Sequence, residues 1–243
     1  MAQNGWLIAA TLVALVCAIP MRASAEEPCA RAALAAALSR ADAEARAAPR
    51  MAFTETVAEK GVVVSGRFNP AEPAGARWTP VGLVAASGQQ QESYRGIVND
   101  TPDERDLLLT RVRSTVAGPG DLVSEENGVA MFDFPMSPSA HPTNSPLDGA
   151  LNLSSHIRVQ LSVNEATQTL TGMRFYAPAA FAATPLARVD RIDLRFEFGD
   201  SFPGGPTIVR RVDTDAAYQI AGFSNTMRDT VWFGDVAPMS TVR

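Results

Sequence analysis

The side chains most often used for nucleophilic or metal chemistry are scarce in this chain of 243 residues. It holds two histidines, His141 and His156, and two cysteines, Cys17 and Cys29. A Ser–His–Asp triad needs a nucleophile on a suitable turn, and no G-x-S-x-G sequence occurs. Zinc scaffolds and disulfide frameworks need several His or Cys residues at set spacings. We therefore predict no catalytic residue and no metal site.

Carboxylates offer the remaining acid–base chemistry. Asp213 and Asp215 form a D-x-D pair, and Asp190 and Asp193 could serve as the two carboxylates of a glycoside hydrolase. Charges of opposite sign also alternate along one predicted strand, at Arg191, Asp193, Arg195 and Glu197. Such alternation is typical of charge pairing across a solvent-exposed sheet face. We favour charge pairing and keep a hydrolase with dispersed carboxylates as the weaker alternative.

Composition argues against nucleotide and nucleic-acid binding. The chain has 21 basic and 26 acidic residues, for a net charge of −5, whereas nucleic-acid binders normally carry a basic excess. No Walker loop and no G-x-G-x-x-G sequence is present to hold phosphates. We expect no cofactor and no nucleic-acid partner.

The N-terminus has the pattern of an export signal. Trp6–Ile19 is an apolar run too short to span a membrane, and Ala23-Ser24-Ala25 provides a small-x-small cleavage site. Cleavage after Ala25 predicts a periplasmic or secreted protein without a transmembrane anchor. Residues 26–243 would form a single domain with a loop-rich insertion near 85–149. We interpret Cys29, the one thiol left, as a half-buried residue of the first helix.

Strands outnumber helices in the predicted structure. We expect helices at Glu27–Ala48 and, after a Thr101/Glu104 capping box, at 101–116. Extended segments with alternating apolar residues follow, most clearly His156–Val163 and Val189–Phe198. Strands joined by short turns indicate an antiparallel sheet with one solvated face. The predicted fold class is α+β, mostly β, with one N-terminal and one internal helix packed against the sheet.

One hairpin is similar to a known family. Phe53-Thr54-Glu55-Thr56-Val57 is followed by G-V-V-V-S-G-R-F at 61–68, then by a proline-containing connector and Arg77-Trp78. Across residues 30–80 this order resembles periplasmic outer-membrane lipoprotein carriers of the LolA/LolB-like family. The resemblance implies a strongly curved half-barrel sheet whose open side is closed by helices. It also implies an apolar cavity for lipoprotein acyl chains.

Apolar side chains are therefore the candidate binding residues. A thinly covered curved sheet can leave part of its concave face open to an apolar ligand. The cavity candidates are Leu34, Leu38, Phe53, Phe68, Trp78, Phe132, Phe134, Phe196 and Phe198. The leading hypothesis is an exported, non-enzymatic binding protein for a lipid, a lipoprotein acyl chain or another apolar molecule. The alternative is an envelope structural or protein-interaction module whose sheet interior is filled and which binds a protein partner.

Overall fold

A computed structural model describes residues 23–82, 87–99, 104–140 and 153–239, and these form a mostly β structure. Three α-helices are described: α1 Ala23–Ala47, α2 Gly88–Asn99 and α3 Val112–Thr115. The strands are β1 Met51–Glu59, β2 Val62–Phe68, β3 Trp78–Val81, β4 Asp121–Glu126, β5 Val129–Pro135, β6 Arg158–Asn164, β7 Thr169–Tyr176, β8 Phe181–Thr184, β9 Ala187–Asp200, β10 Thr207–Ile220 and β11 Phe223–Pro238.

All eleven strands belong to one open, curved antiparallel sheet, which confirms the predicted fold class. The strand order is β3-β2-β1-β11-β10-β9-β7-β6-β5-β4, and β8 pairs with β9. The last strand, β11, lies between β1 and β10, so the N-terminal hairpin and the C-terminal meander share one sheet. The predicted alternation is confirmed in β6, where Val159, Leu161 and Val163 are buried and their neighbours are half-buried.

Helix α1 covers part of the inner face of the sheet. Its small residues Ala30, Ala33, Ala37 and Ala41 are buried, which lets the helix approach the sheet closely. Arg31 anchors the helix because its guanidinium donates to the carbonyl of Gly120 at 3.1 Å and lies over the ring of Phe132 at 5.8 Å. The helix begins at Ala23, one turn before the predicted start, so that Pro28 lies within it, and Cys29 is exposed rather than half-buried.

The prediction of a second helix at 101–116 is wrong. Leu108 is extended and bridges Ile208, and only a 3₁₀ turn at Leu109–Arg111 and the single turn of α3 follow. Pairing with β10 buries three consecutive leucines at 107–109, which a helix would have placed on different faces. Glu104 does not cap a helix; its carboxylate accepts a hydrogen bond from Arg50 at 2.7 Å.

The internal helix is α2, in a segment where the sequence pattern predicts no helix and where residues 85–92 look polar and turn-like. Its N-terminus has a capping box, because the Gln90 amide donates to Ser87 Oγ at 3.3 Å and the Ser87 amide donates to Gln90 Oε1 at 2.9 Å. The helix packs on β2 and β1, and its Ile97 is buried. The S-x-x-Q spacing was the sequence signal that could have located it.

Other boundaries also differ from the predictions. The apolar pattern predicts separate strands at 208–213 and 218–223, with the D-x-D pair after the first. Both segments instead belong mostly to the single strand β10, so Asp213 and Asp215 lie in the middle of a strand. Strands β4 and β8 were not predicted. His156 follows a 3₁₀ turn instead of lying on a strand face, and its ring stacks on Phe181 with centroids 4.3 Å apart.

Several sequence expectations lie outside the described residues: the export segment 6–19, the predicted cap residue Thr101, His141, and the end of the loop-rich insertion at 141–149. Within the part of the chain that the structure describes, no helix combines the length and the apolarity needed to cross a membrane.

Two glycines before β4 provide a matched test of how α1 and the sheet edge pack. Gly118 and Gly120 both have positive φ, +73° and +69°, so alanine at either position costs about 1–2 kcal/mol of backbone strain. A Cβ at Gly118 meets only open space, whereas one at Gly120 falls on the ring of the buried Phe134. We expect Gly120→Ala to lower the free energy of unfolding by about 1–3 kcal/mol more than Gly118→Ala, measured by urea denaturation. Equal losses would contradict this packing.

Candidate functional site

An apolar cavity of about 350 Å³ lies on the inner face of the sheet, a size within the range of ligand pockets. The segment 106–115 forms its roof. Side chains from four long strands form its floor: Met173, Phe175, Phe196, Phe198, Val209, Val212, Val231 and Phe233. Glu55 of β1 completes the wall.

Strand register aligns the floor. Directly opposed residues of antiparallel strands point to the same face, and here Val231 opposes Val212, Val212 opposes Phe196, and Phe196 opposes Met173. A bulge between Val209 and Arg211 brings Val209 opposite Phe198 in the neighbouring row. The cavity floor is therefore a continuous apolar surface across β7, β9, β10 and β11.

The roof is bridged to the sheet at both ends, and between the bridges Arg113 forms an ion pair with Asp42 of α1 at 3.1 Å. Leu108 bridges Ile208, and the Val209 amide donates to the Leu107 carbonyl at 2.9 Å. At the other end Val116 bridges Met136. The residues between these anchors form only short turns, so the cover of the cavity is a thin segment beside α1, not α1 itself.

Two of the nine predicted binding residues, Phe196 and Phe198, line this cavity. Leu34 of α1 and Phe132 and Phe134 of β5 are buried in the hydrophobic core, Leu38 packs against that core, and none of the four lines the cavity. The structure therefore does not bring these four residues to the cavity.

The three remaining candidates form an aromatic cluster in the N-terminal hairpin. The rings of Phe53 and Phe68 stack with centroids 5.0 Å apart, and Trp78 meets them at 5.7 and 5.3 Å. Phe53 also meets Phe233 edge-on at 5.9 Å, which links the cluster to the cavity floor. This cluster stabilises the wall without lining the cavity.

Glu55 is the functional candidate that the sequence analysis missed. The residue is only 6% exposed, although it carries a carboxyl group and faces an apolar cavity. On β1, Glu55 lies opposite Phe233 of β11 on one side and opposite Gly66 of β2 on the other. The alternation of Phe53, Glu55 and Val57 was the available signal, since every second residue of a strand faces the same side.

The outer face of the sheet carries an ion-pair network. Asp193 of β9 binds Arg174 of β7 at 2.8 Å and Arg195 at 2.8 Å, while Asp215 of β10 binds Arg191 of β9 at 2.6 Å. Charge pairing between strands is thus confirmed.

Asp190 and Asp193 have different partners. Asp190 binds Arg188 at 2.8 Å and accepts a hydrogen bond from Gln219, neither of which contacts Asp193 in the described network. A shallow groove of about 390 Å³ runs along this face between Asp193, Asp213, Asp215 and Asp229. Among the described residues no three His, Cys, Asp or Glu side chains are grouped to hold a metal ion.

Two carboxyl groups near the groove have opposite pKa shifts: Asp193 on the outer face, and Asp229, which lies opposite Thr214 and Leu194 in the inward-facing row. Partial burial raises the pKa of Asp193, but hydrogen bonds and charge from Arg195 and Arg174 outweigh that effect and lower the pKa to about 2. Burial raises the pKa of Asp229, against a hydrogen bond from Thr214. Asp193 is thus held as a carboxylate by two arginines, as expected of a group that stabilises the sheet.

Comparison with known proteins adds no family to this description. No family model matches the chain, and neither a curated protein nor a solved structure does. Function is therefore inferred from the residues and their geometry.

The ion pairs of Asp193 predict a specific pH dependence of stability. Because its folded pKa lies below the ordinary value of about 3.9, its stabilisation is present above pH 4 and is lost as the pH falls towards 2. We expect Asp193→Asn to lower the free energy of unfolding by about 1–2 kcal/mol at pH 7 and by little at pH 2. Urea titrations at both pH values measure this.

Asp190→Asn is the matched control, since its surface ion pair contributes at most about 0.5 kcal/mol. The same loss at pH 2 as at pH 7 for Asp193→Asn would show that the ion pairs are not its cause.

Proposed function

We propose that this protein is an exported, non-enzymatic binding protein that holds a lipid, a lipoprotein acyl chain or another apolar ligand in the cavity under residues 106–115. The observation that carries the proposal is the continuous apolar floor, formed by side chains of four adjacent strands. A filled interior would bury these side chains against one another. Here Phe196, Phe198, Val212 and Val231 are only half-buried, although they point to the inner face.

The mechanism needs no covalent step. Each methylene of a bound chain that leaves water stabilises the complex by roughly 0.8 kcal/mol, and the floor and roof supply the apolar surface that receives it. The roof is a short segment whose side chains Leu107, Leu109 and Val112 are buried in the core, so its displacement would open the cavity at the cost of exposing apolar surface. Binding and release would therefore be controlled at the roof.

Two sequence features support an envelope setting and an acyl ligand. The N-terminal residues have the pattern of a cleaved export signal, and this pattern predicts a mature protein in the periplasm or outside the cell. The hairpin at 51–68 resembles LolA/LolB-like carriers, whose cavity receives lipoprotein acyl chains. A protein that delivers such a ligand would meet a protein partner or a lipid surface in the envelope.

A second candidate function is a protein-interaction module, and one observation favours it. Leu186 and Phe223 are 73% and 76% exposed at the end of the sheet where β10 turns into β11. The Ala221 amide donates to the Leu186 carbonyl at 2.8 Å, which joins the two turns. An exposed apolar tip of this kind is typical of a contact site. Under this reading the interior binds no ligand, so ligand titration separates the two functions.

Filling the cavity should abolish binding. We expect the mature protein to bind the neutral dye N-phenyl-1-naphthylamine saturably at one site. We also expect 1-dodecanol to displace the bound dye by competition for that site. Val212→Trp places an indole on the cavity floor, so the affinity of this variant for the dye and for 1-dodecanol should each fall at least tenfold. Val63→Trp makes the same substitution at an exposed position and should change neither affinity. Fluorescence titration measures both, with circular dichroism as the check on folding.

Absence of saturable binding to the unmodified protein would overturn the proposed function. Unchanged binding by a folded Val212→Trp variant would show that the ligand lies elsewhere.

A further inference from the structure

We infer that the tip of the sheet formed by residues 181–189 and 216–228 docks on an anionic lipid bilayer, with Leu186 and Phe223 inserted among the lipid chains. This inference goes beyond the proposed function, because it concerns the outer surface and holds whether or not the cavity is occupied. The observation that carries it is the composition of the tip, whose exposed side chains are apolar at the turns and uncharged or basic behind them.

Two tight turns hold the apolar side chains of the tip together. Leu186 lies in the turn between β8 and β9, and Phe223 begins β11 directly after the turn Ala221-Gly222. Both residues of that turn have positive φ, as in a two-residue hairpin, and the Ala221 amide donates to the Leu186 carbonyl. Ile220 lies opposite Phe223 in the register and is also exposed. The tip is therefore ordered before it meets a partner, which lowers the entropic cost of docking.

The β10–β11 hairpin extends beyond its neighbour β1. That strand ends at Glu59, opposite Asp229, so residues 223–228 pair with β10 alone. All six of these residues are exposed. The turn can therefore reach a flat surface ahead of the strand beside it.

The charges of the tip suit an anionic surface. Its only charged residues are Arg188 and Arg228, although the whole chain has 26 acidic and 21 basic residues. The carboxylates of Asp190 and Asp215 lie behind these arginines and pair with them at 2.8 and 3.3 Å. An approaching surface thus meets a basic side chain first on β9 and on β11. Basic residues close to an anionic bilayer strengthen binding to it.

The size of the apolar patch favours a bilayer over a protein partner. Leu186, Ile220, Phe223 and Met227 expose apolar surface on the order of 400 Å², about half of what one partner contributes to a standard protein interface. A bilayer requires no complementary shape, and its affinity increases with the apolar area that is inserted. Uncharged polar side chains behind the turns, such as Gln219, can form hydrogen bonds with lipid head groups.

The experiment measures cosedimentation of the mature protein with phosphatidylcholine vesicles, with and without one third phosphatidylglycerol. We expect at least threefold tighter binding to the anionic vesicles, and salt at about 0.5 M should remove this difference. The double variant Leu186→Gln/Phe223→Gln loses both apolar anchors, so its affinity for either vesicle should fall at least tenfold. The control Val81→Gln/Val123→Gln makes the same change at exposed positions on β3 and β4 and should bind as the unmodified protein does.

A second measurement locates the contact without removing an anchor. Phe223→Trp keeps an aromatic side chain at the turn, and its added fluorescence should shift to the blue on vesicles and be quenched by lipids brominated on their chains. An added indole that stays in water while the protein is bound would overturn the inference.

Four further results would contradict the inference. The first is no binding to either vesicle, and the second is undiminished binding by a folded Leu186→Gln/Phe223→Gln variant. Equal affinity for the two vesicles would contradict the role given to Arg188 and Arg228. Binding only to bacterial envelope vesicles, lost after protease treatment of those vesicles, would assign the tip to a protein partner instead. Dye titration tests the cavity separately, so failure of the proposed function is distinguishable from failure of this inference.

Discussion

One constraint governs this structure: a single sheet of eleven strands presents an inner apolar face that its helices cannot cover fully. A β-sandwich would cover that face with a second sheet of matching area. Here α1 covers β6 and β7, and α2 covers β2 and β1. The centre of the sheet, at β9, β10 and β11, is left to the segment 106–115. Because that segment is thin and mostly irregular, the floor beneath it remains an open cavity.

The C-terminal strand makes this arrangement possible. β11 pairs with β1 over nearly the whole of β1 and with β10 over ten residues, so the two ends of the described chain meet in the middle of the sheet. This pairing places Glu55 next to Phe233 and thereby introduces a carboxyl group at the edge of the apolar floor. On the outer face, the carboxylates lie among basic and polar side chains instead. Asp193, Asp213 and Asp215 each form an ion pair with a neighbouring arginine there, and Asp213 also accepts a hydrogen bond from the Thr230 hydroxyl.

The sequence predicts the parts of the fold that depend on local pattern. The hairpin at 51–68 and the alternation in β6 and β9 form as expected, because one buried face dictates which residues are apolar. The segment around Leu107–Leu109 does not follow its helical spacing, since pairing with β10 buries all three leucines. The Ser87–Gln90 capping box was readable, but its polar residues resemble a turn. Long-range pairing, which no local pattern encodes, determined these differences.

The candidate site was predictable only in part for the same reason. Phe196 and Phe198 were identified from their alternation, but the residues opposite them could not be known before β10 and β11 were paired. Leu34, Phe132 and Phe134 are equally apolar, and only the course of α1 places them in closed core. Glu55 was overlooked because a charged residue in a strand normally marks the solvated face.

We expect the inner face of this sheet to receive an apolar chain beneath residues 106–115. Intermolecular nuclear Overhauser effects between bound 1-dodecanol and methyl-labelled protein measure that contact most directly. We expect contacts from the alkyl chain to the methyl groups of Val209, Val212 and Val231, and none to those of Val159 and Val163, which are fully buried in β6. Contacts confined to the exposed tip at Leu186, or no contacts at all, would contradict it.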